Sequence, residues 1–182
     1  MSRNLEWKAR LPDLAAARQI ATRLATANDG NERQVDTYFR VPTGRLKLRE
    51  IESATGSHAE LIFYQRFDTA ATKTSHYLRQ PLEQTEVWKE LFTQSLGILT
   101  QVVKTREIWW HDNVRIHLDQ VANLGDYLEF EAVLQPEDDP LEAEIVLQFL
   151  MRLFALDPTS GIAVSYSDLL LSSLSVDTAP KG

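Results

Sequence analysis

The sequence predicts an α+β fold: a strongly curved antiparallel sheet or barrel with helices packed on its outside. Two observations carry this. Most strand-like stretches alternate charged with apolar residues, so each has one charged and one apolar face. Short turn segments join several of them into hairpins, and long amphipathic stretches supply the surface to cover the apolar faces.

NLEWKARL (residues 4–11) places Asn4, Glu6, Lys8 and Arg10 on one face and Leu5, Trp7, Ala9 and Leu11 on the other, the pattern of a strand. A helix is expected over 12–27, with Leu14, Ala17, Ile20 and Leu24 as its stripe and Asn28, Asp29 and Gly30 as its stop. QVDTYFRV and GRLKLREI form the next two strands, turned by Pro42, Thr43 and Gly44. A polar loop leads to a fourth strand, AELIFYQRF, and 68–84 reads as a further loop. The second helix is expected at 85–96, ended by Gly97. VVKTREIWW, VRIHLDQV and DYLEFEAVL follow as three hairpin-linked strands. Acidic PEDDP suits the N-terminus of a last long helix, LEAEIVLQFLMRLFAL. YSDLLL is a C-terminal segment and SVDTAPKG a frayed tail. The reading counts about seven strands and three helices in one domain over 2–171, with 172–182 as the tail.

The 182 residues include no cysteine, which excludes disulfides, a thiol nucleophile and a thiolate metal site. No apolar run is long enough to span a membrane and MSRNLEWKAR does not read as a signal peptide, so no membrane partner and a cytoplasmic location are expected. A formal net charge of −7 opposes general nucleic-acid binding. Phosphate affinity therefore requires a concentrated local basic site, and the strands offer one. Arg45, Lys47 and Arg49 alternate on one strand face, Lys104 and Arg106 on another, and Arg115, His117 and Asp119 on a third. Glu6 and Lys8, and Glu129 and Glu131, add mixed charge on two more. One wet sheet face is the simple explanation for any single strand. Taken together, the charged faces turn inward once helices cover the apolar ones, and a curved sheet makes that interior a charged tunnel.

A dense group of Arg and Lys calls for a polyanion, and a linear polyphosphate brings several charges in a row. Carboxylates beside it call for a bridging hard cation, Mg²⁺ or Mn²⁺. GxxxxGK[ST] is absent, which excludes a Walker-type site. His117 alone reads as structural. Adjacent Trp109 and Trp110 face opposite ways, so at most one enters the tunnel. Tyr64 and Tyr77 are candidate contacts for an organic group.

These residues resemble the CYTH family, the triphosphate tunnel metalloenzymes, in its class IV adenylyl cyclase-like and thiamine triphosphatase-like branch. The family's opening ExExK stands here as Asn4-Leu5-Glu6-Trp7-Lys8, with Asn in the first acidic position. Asp36 and Tyr38 match its D-x-Y strand, RLKLRE its basic strand with Arg49 the best phosphate-binding match, and KTRE its K-x-R pair. VRIHLDQVANLGDYLEFEAV is the nearest match, with Asp119, the turn at Gly125, and the pair Glu129 and Glu131. SYSDLL is typical of the cyclase-like branch. The resemblance implies an eight-stranded antiparallel β-barrel tunnel, often dimeric. It implies Glu6, Asp119, Glu129 and Glu131 as ligands for Mg²⁺ or Mn²⁺. Lys8, Arg49, Lys104, Arg106 and Arg115 become the triphosphate grip, with Arg45 and Lys47 next and either Gln65 or Arg66 turned inward. Lys8 and Glu129 are the expected catalytic pair, Lys8 as a base whose neighbours lower its proton affinity. The implied activity is metal-dependent hydrolysis of inorganic tripolyphosphate, a nucleoside triphosphate or thiamine triphosphate. Cyclisation of ATP to cyclic AMP and pyrophosphate, and non-catalytic polyphosphate binding, are the alternatives.

Overall fold

The computed structural model describes residues 3–65 and 76–177. Residues 1–2, Arg66, Phe67, residues 68–75 of the stretch 68–84 read as a loop, and the last five residues lie outside them. Eight strands form one antiparallel sheet: β1 (Arg3–Arg10), β2 (Ala27–Phe39), β3 (Arg45–Ser53), β4 (Gly56–Gln65), β5 (His76–Leu82), β6 (Ile98–His111), β7 (Val114–Val121) and β8 (Gly125–Leu134). Their order across the sheet is β1-β8-β7-β6-β2-β3-β4-β5. Among the described residues the sheet curls without a hydrogen-bonded seam between β1 and β5.

The helices lie where the apolar faces need cover. α1 (Leu14–Leu24), capped by Asp13 accepting from the Ala16 amide, and α3 (Pro140–Leu153), capped by Asp139, pack against one face. The core there joins Leu5 and Ile116, Leu118, Leu128 and Phe130 of the strands to Ala17, Ala21, Leu147 and Leu150 of the helices. α2 (Thr85–Leu96) crosses outside the sheet and rests Phe92 on Phe39. α4 (Tyr166–Asp177) takes a different place. Tyr166 and Leu170 join Tyr38, Ile62, Tyr64, Val102 and Tyr127 in a second cluster that fills one end of the concave side.

Four sequence expectations change. α1 stops at Leu24, where its apolar stripe ends, and Asn28, Asp29 and Gly30 belong to β2. They bulge there: the register against β6 shifts between Asn28 and Gly30, Gly30 has φ of +87°, and Asn28 Oδ1 accepts from the Gly30 amide at 2.6 Å. β5 occupies part of the expected loop. It lies at the sheet edge, where Pro81 removes no required ladder bond. It is the eighth strand, one more than the alternation reveals. YSDLLL opens a helix of three turns, reaching into the segment read as a tail.

Candidate functional site

The register of the sheet assembles the charges. Cross-strand partners lie side by side on one face, so pairing Asp36 with Arg49, and Arg49 with Glu60, makes one charged row. Glu32, Arg106 and Asp119 make a second, and Lys8, Glu129 and His117 a third. Glu6, Glu131 and Arg115 make a fourth. These rows line a cavity of about 850 Å³. Among the described residues its wall carries seven Lys or Arg side chains and seven Asp or Glu, so it has no net positive charge of its own.

Two buried carboxylates organise the basic groups. Asp36 accepts from Lys47 Nζ at 2.7 Å and from Arg49 Nε and Nη2 at 2.6 and 2.7 Å. Asp119 is fully buried and accepts from Arg106 Nε and Nη2, both at 2.6 Å, from Lys104 Nζ at 3.3 Å and from the Tyr166 hydroxyl at 2.9 Å. Burial alone pushes both carboxyls up. The adjoining cations more than offset it: Arg49 and Lys47 hold Asp36, and Arg106 and Lys104 hold Asp119, far below the usual carboxylate range. The lysines shift the other way. Burial, reinforced by Arg49, pushes Lys47 down to about 8, and burial, reinforced by Arg106, pushes Lys104 down to about 7. The result is two fixed cationic pairs in which each guanidinium is anchored through two nitrogens and each ammonium is readily discharged.

The carboxylates that face the cavity form a separate group. Glu6 and Glu131 are direct cross-strand partners on one face, an arrangement that is unfavourable unless something positive or donating intervenes. Glu131 receives the amide of Asn4 at short range and Arg115 Nη1 at 3.1 Å. Glu129 accepts from Arg106 Nη2 at 3.1 Å. Burial pushes Glu129 up, but Arg106 and other cations win and bring it down to about 2, so it is ionised at neutral pH. His117 lies among them with Nε2 3.9 Å from Glu131, and burial and Arg106 hold it well below the ordinary imidazole range. Among the described residues no three Asp, Glu or His side chains converge tightly enough to hold an ion unaided. The donor set nonetheless suits a hard cation. Asn4 Oδ1 is buried without a hydrogen-bond partner, on the same face of β1 as Glu6. A cation completed by phosphate oxygens would satisfy that oxygen and relieve the Glu6–Glu131 pair.

The structure brings Lys8, Lys47, Arg49, Lys104, Arg106 and Arg115 to the cavity, together with Glu6, Glu129 and Glu131. Asp119 does not join the acidic group; it lies beneath the basic pair with its oxygens held by protein donors. Arg45 is drawn to the end closed by α4, on Ser165 Oγ at 2.6 Å and Asp168 at 2.9 Å. Gln65 reaches the rim, while Tyr64 takes the inward position on β4. Trp109 packs against the helices. Trp110 stacks on Arg115, 4.7 Å from ring centre to guanidinium, and donates to Asp29 at 2.7 Å.

Tyr166 is the site residue that sequence reasoning passed over. Besides its bond to Asp119, its ring lies under two ammonium groups, Lys8 at 4.4 Å and Lys104 at 5.3 Å. Lys8 Nζ also donates to the Val164 carbonyl at 2.8 Å. The approach to α4 makes this possible: the Ile162 amide donates to the Lys8 carbonyl at 2.7 Å, so the chain runs along the free edge of β1 and delivers Tyr166 inward. The only signal in the sequence was the SYSDLL similarity, which carried no role for the tyrosine.

A curled eight-stranded antiparallel sheet with paired cations and carboxylates on its inner wall defines a charged-tunnel protein. The chain belongs to the CYTH domain family, whose model matches residues 2–166. No curated protein matches. Among solved structures it is similar to the PH1819 protein from Pyrococcus horikoshii, at 22% identity and a TM-score of 0.81 over 93% of this chain and 99% of that one. The PH1012 protein of the same organism is 23% identical, with a TM-score of 0.79 over 91% and 98%. A candidate adenylate cyclase from Vibrio parahaemolyticus is 18% identical, with a TM-score of 0.72 over 93% and 98%. These similarities establish the fold.

Proposed function

We propose that the chain hydrolyses a triphosphate inside the tunnel with the help of a divalent cation, Mg²⁺ or Mn²⁺. One observation carries the reading: two cationic pairs, Lys47 with Arg49 and Lys104 with Arg106, are fixed by separate buried aspartates on the wall of one cavity that also presents Glu6 and Glu129. Paired guanidinium and ammonium groups match successive phosphoryl groups along a chain. The balanced charge of the wall supports a cation accompanying the substrate, because the wall alone offers a polyanion no net attraction.

In this reading Lys47, Arg49, Lys104 and Arg106 grip the phosphates, and Lys8 and Arg115 flank them. Glu6 and Glu129 hold the cation, with Glu131 beside them. When bound, the cation neutralises phosphoryl charge and supplies an activated water. Asp36 and Asp119 keep the guanidinium planes oriented, so no reorganisation is needed as charge moves to the leaving group. Lys104 gains a proton when the triphosphate arrives and lends a full positive charge. Inorganic tripolyphosphate, nucleoside triphosphates and thiamine triphosphate are the substrate candidates, and a cytoplasmic location is part of the proposal.

Asn4 favours a second reading, a non-catalytic triphosphate binder. Its amide already donates to Glu131 and does part of the work of a cation there. The test is incubation with Mg²⁺ or Mn²⁺ and, separately, tripolyphosphate, ATP and thiamine triphosphate, with orthophosphate and cyclic AMP both measured. Orthophosphate lost in Glu129→Gln supports the hydrolase. Cyclic AMP with pyrophosphate makes the protein a cyclase. Tripolyphosphate binding without any product makes it a binder.

A further inference from the structure

Lys104 is held loosely by its carboxylate. Its Nζ lies 3.3 Å from Asp119 Oδ2, long for a charge-assisted bond, because Arg106 already spans both oxygens of Asp119 at 2.6 Å. Lys8 stands on β1 and Lys104 on β6, three strand spacings away, or about 14 Å along the sheet. The curl of the sheet does not by itself fix where two long, flexible side chains end. Both ammonium groups nonetheless stand over one ring, that of Tyr166, 4.4 and 5.3 Å from its centre, which brings the two nitrogens within about 10 Å of each other.

The ring is held from several directions. Its hydroxyl donates to Asp119 Oδ2 at 2.9 Å, and it meets Tyr127 edge to face with 4.9 Å between ring centres. Its backbone opens α4 through a reciprocal cap: the Ser165 amide donates to Asp168 Oδ2 at 3.0 Å and the Asp168 amide to Ser165 Oγ at 3.3 Å. Arg45 clamps both members of that cap, at 2.6 and 2.9 Å. Just ahead, Val164 and Ile162 are tied to Lys8. Packing alone calls for an apolar side chain at this end of the tunnel. A hydroxyl bond and a clamped backbone fix the direction of a ring face as well.

An aromatic face attracts an ammonium through its quadrupole and adds no countercharge. A carboxylate in the same place would cancel the charge that a phosphate needs. We infer that Tyr166 is a positioning residue: its ring gathers the Lys8 and Lys104 ammonium groups at the α4 end of the tunnel, so that both face the same end of a bound phosphate chain. This rests on the triphosphate reading above and adds to it the group that places two of its cations.

Fluorinated phenylalanines at position 166 test the role. One to three fluorines drain negative charge from the ring face and scarcely change its shape, so a side chain that merely packs is indifferent to them. Each keeps the bulk of the ring, and none opens a cavity that would unfold the chain. Tyr166→Phe, which lacks the bond to Asp119, is the reference. Affinity for tripolyphosphate with Mg²⁺, read by titration calorimetry, is expected to fall stepwise along the series, roughly tenfold by the trifluoro side chain. Lys104→Met is expected to cost less affinity in the trifluoro background than in the reference, because the ammonium it removes is no longer held in place. Affinity that stays level along the series, affinity that rises with fluorination, or strictly additive losses each overturn the role of Tyr166 and leave the triphosphate reading standing. A wild type that binds no tripolyphosphate overturns both.

Discussion

Asp119 shows what a single residue contributes. Its carboxylate is fully buried and holds Arg106, Lys104 and Tyr166 together. Removing one partner of a buried ion pair leaves the other without compensation and costs about 3–5 kcal/mol. Asp119→Asn is therefore expected to lower the melting temperature by roughly 10 °C in a chain of this size, read by calorimetry. Lys104 gives a pH prediction. Its folded value of about 7 lies below its ordinary value, so the unfolded chain binds the extra proton between the two. Stability of the free protein thus rises with pH from about 7 towards the ordinary lysine range. A bound triphosphate favours the charged ammonium. Tripolyphosphate binding at pH 8 is then accompanied by proton uptake and weakens as pH rises, which titration calorimetry in buffers of different ionisation enthalpy measures directly. The inward Lys47, Arg49, Lys104 and Arg106 were legible in the sequence because strand alternation alone sorts them to one face. The anchoring of Asp119 was not, because alternation says which way a carboxylate points and not which cation reaches it first.

At the scale of elements, the segment before α4 joins the two faces of the fold. Gly161 stands where an added Cβ would lie 2.7 Å from Trp7 Nε1, and Trp7 in turn stacks on Phe130. Gly161→Ala is expected to push this segment off the β1 edge. It should lower the melting temperature and loosen Tyr166 from Asp119, with a near-ultraviolet circular dichroism change reporting the tyrosine. Unchanged spectra and stability would contradict the placement. The segment also shows where sequence reading stops. YSDLLL is too short for periodicity to separate a helix from a strand, and its role depends on contacts with β1 more than 150 positions away. β5 escaped for a related reason: an edge strand containing Pro81 lacks the alternation of a strand covered on one face. The β7 and β8 hairpin, by contrast, was readable almost to the residue, because alternation and turn chemistry agree there.

The whole molecule is a device for keeping opposite charges close but unsatisfied by each other alone. Helices cover the apolar faces, so the charged faces have nowhere to go but inward. Each cationic pair is fixed by one aspartate on the wall of the cavity. Such an interior is proposed to take a triphosphate. Titration calorimetry of tripolyphosphate with Mg²⁺ tests it most directly, on the wild type and on Lys104→Met, which keeps the shape of the side chain and leaves Asp119 its bidentate Arg106. Saturable binding in the wild type, weakened roughly tenfold or more by the loss of one charge-assisted contact in the variant, is the predicted result. No binding to the wild type, or equal affinity in the two proteins, would mean that the tunnel does not grip a triphosphate through its cationic pairs.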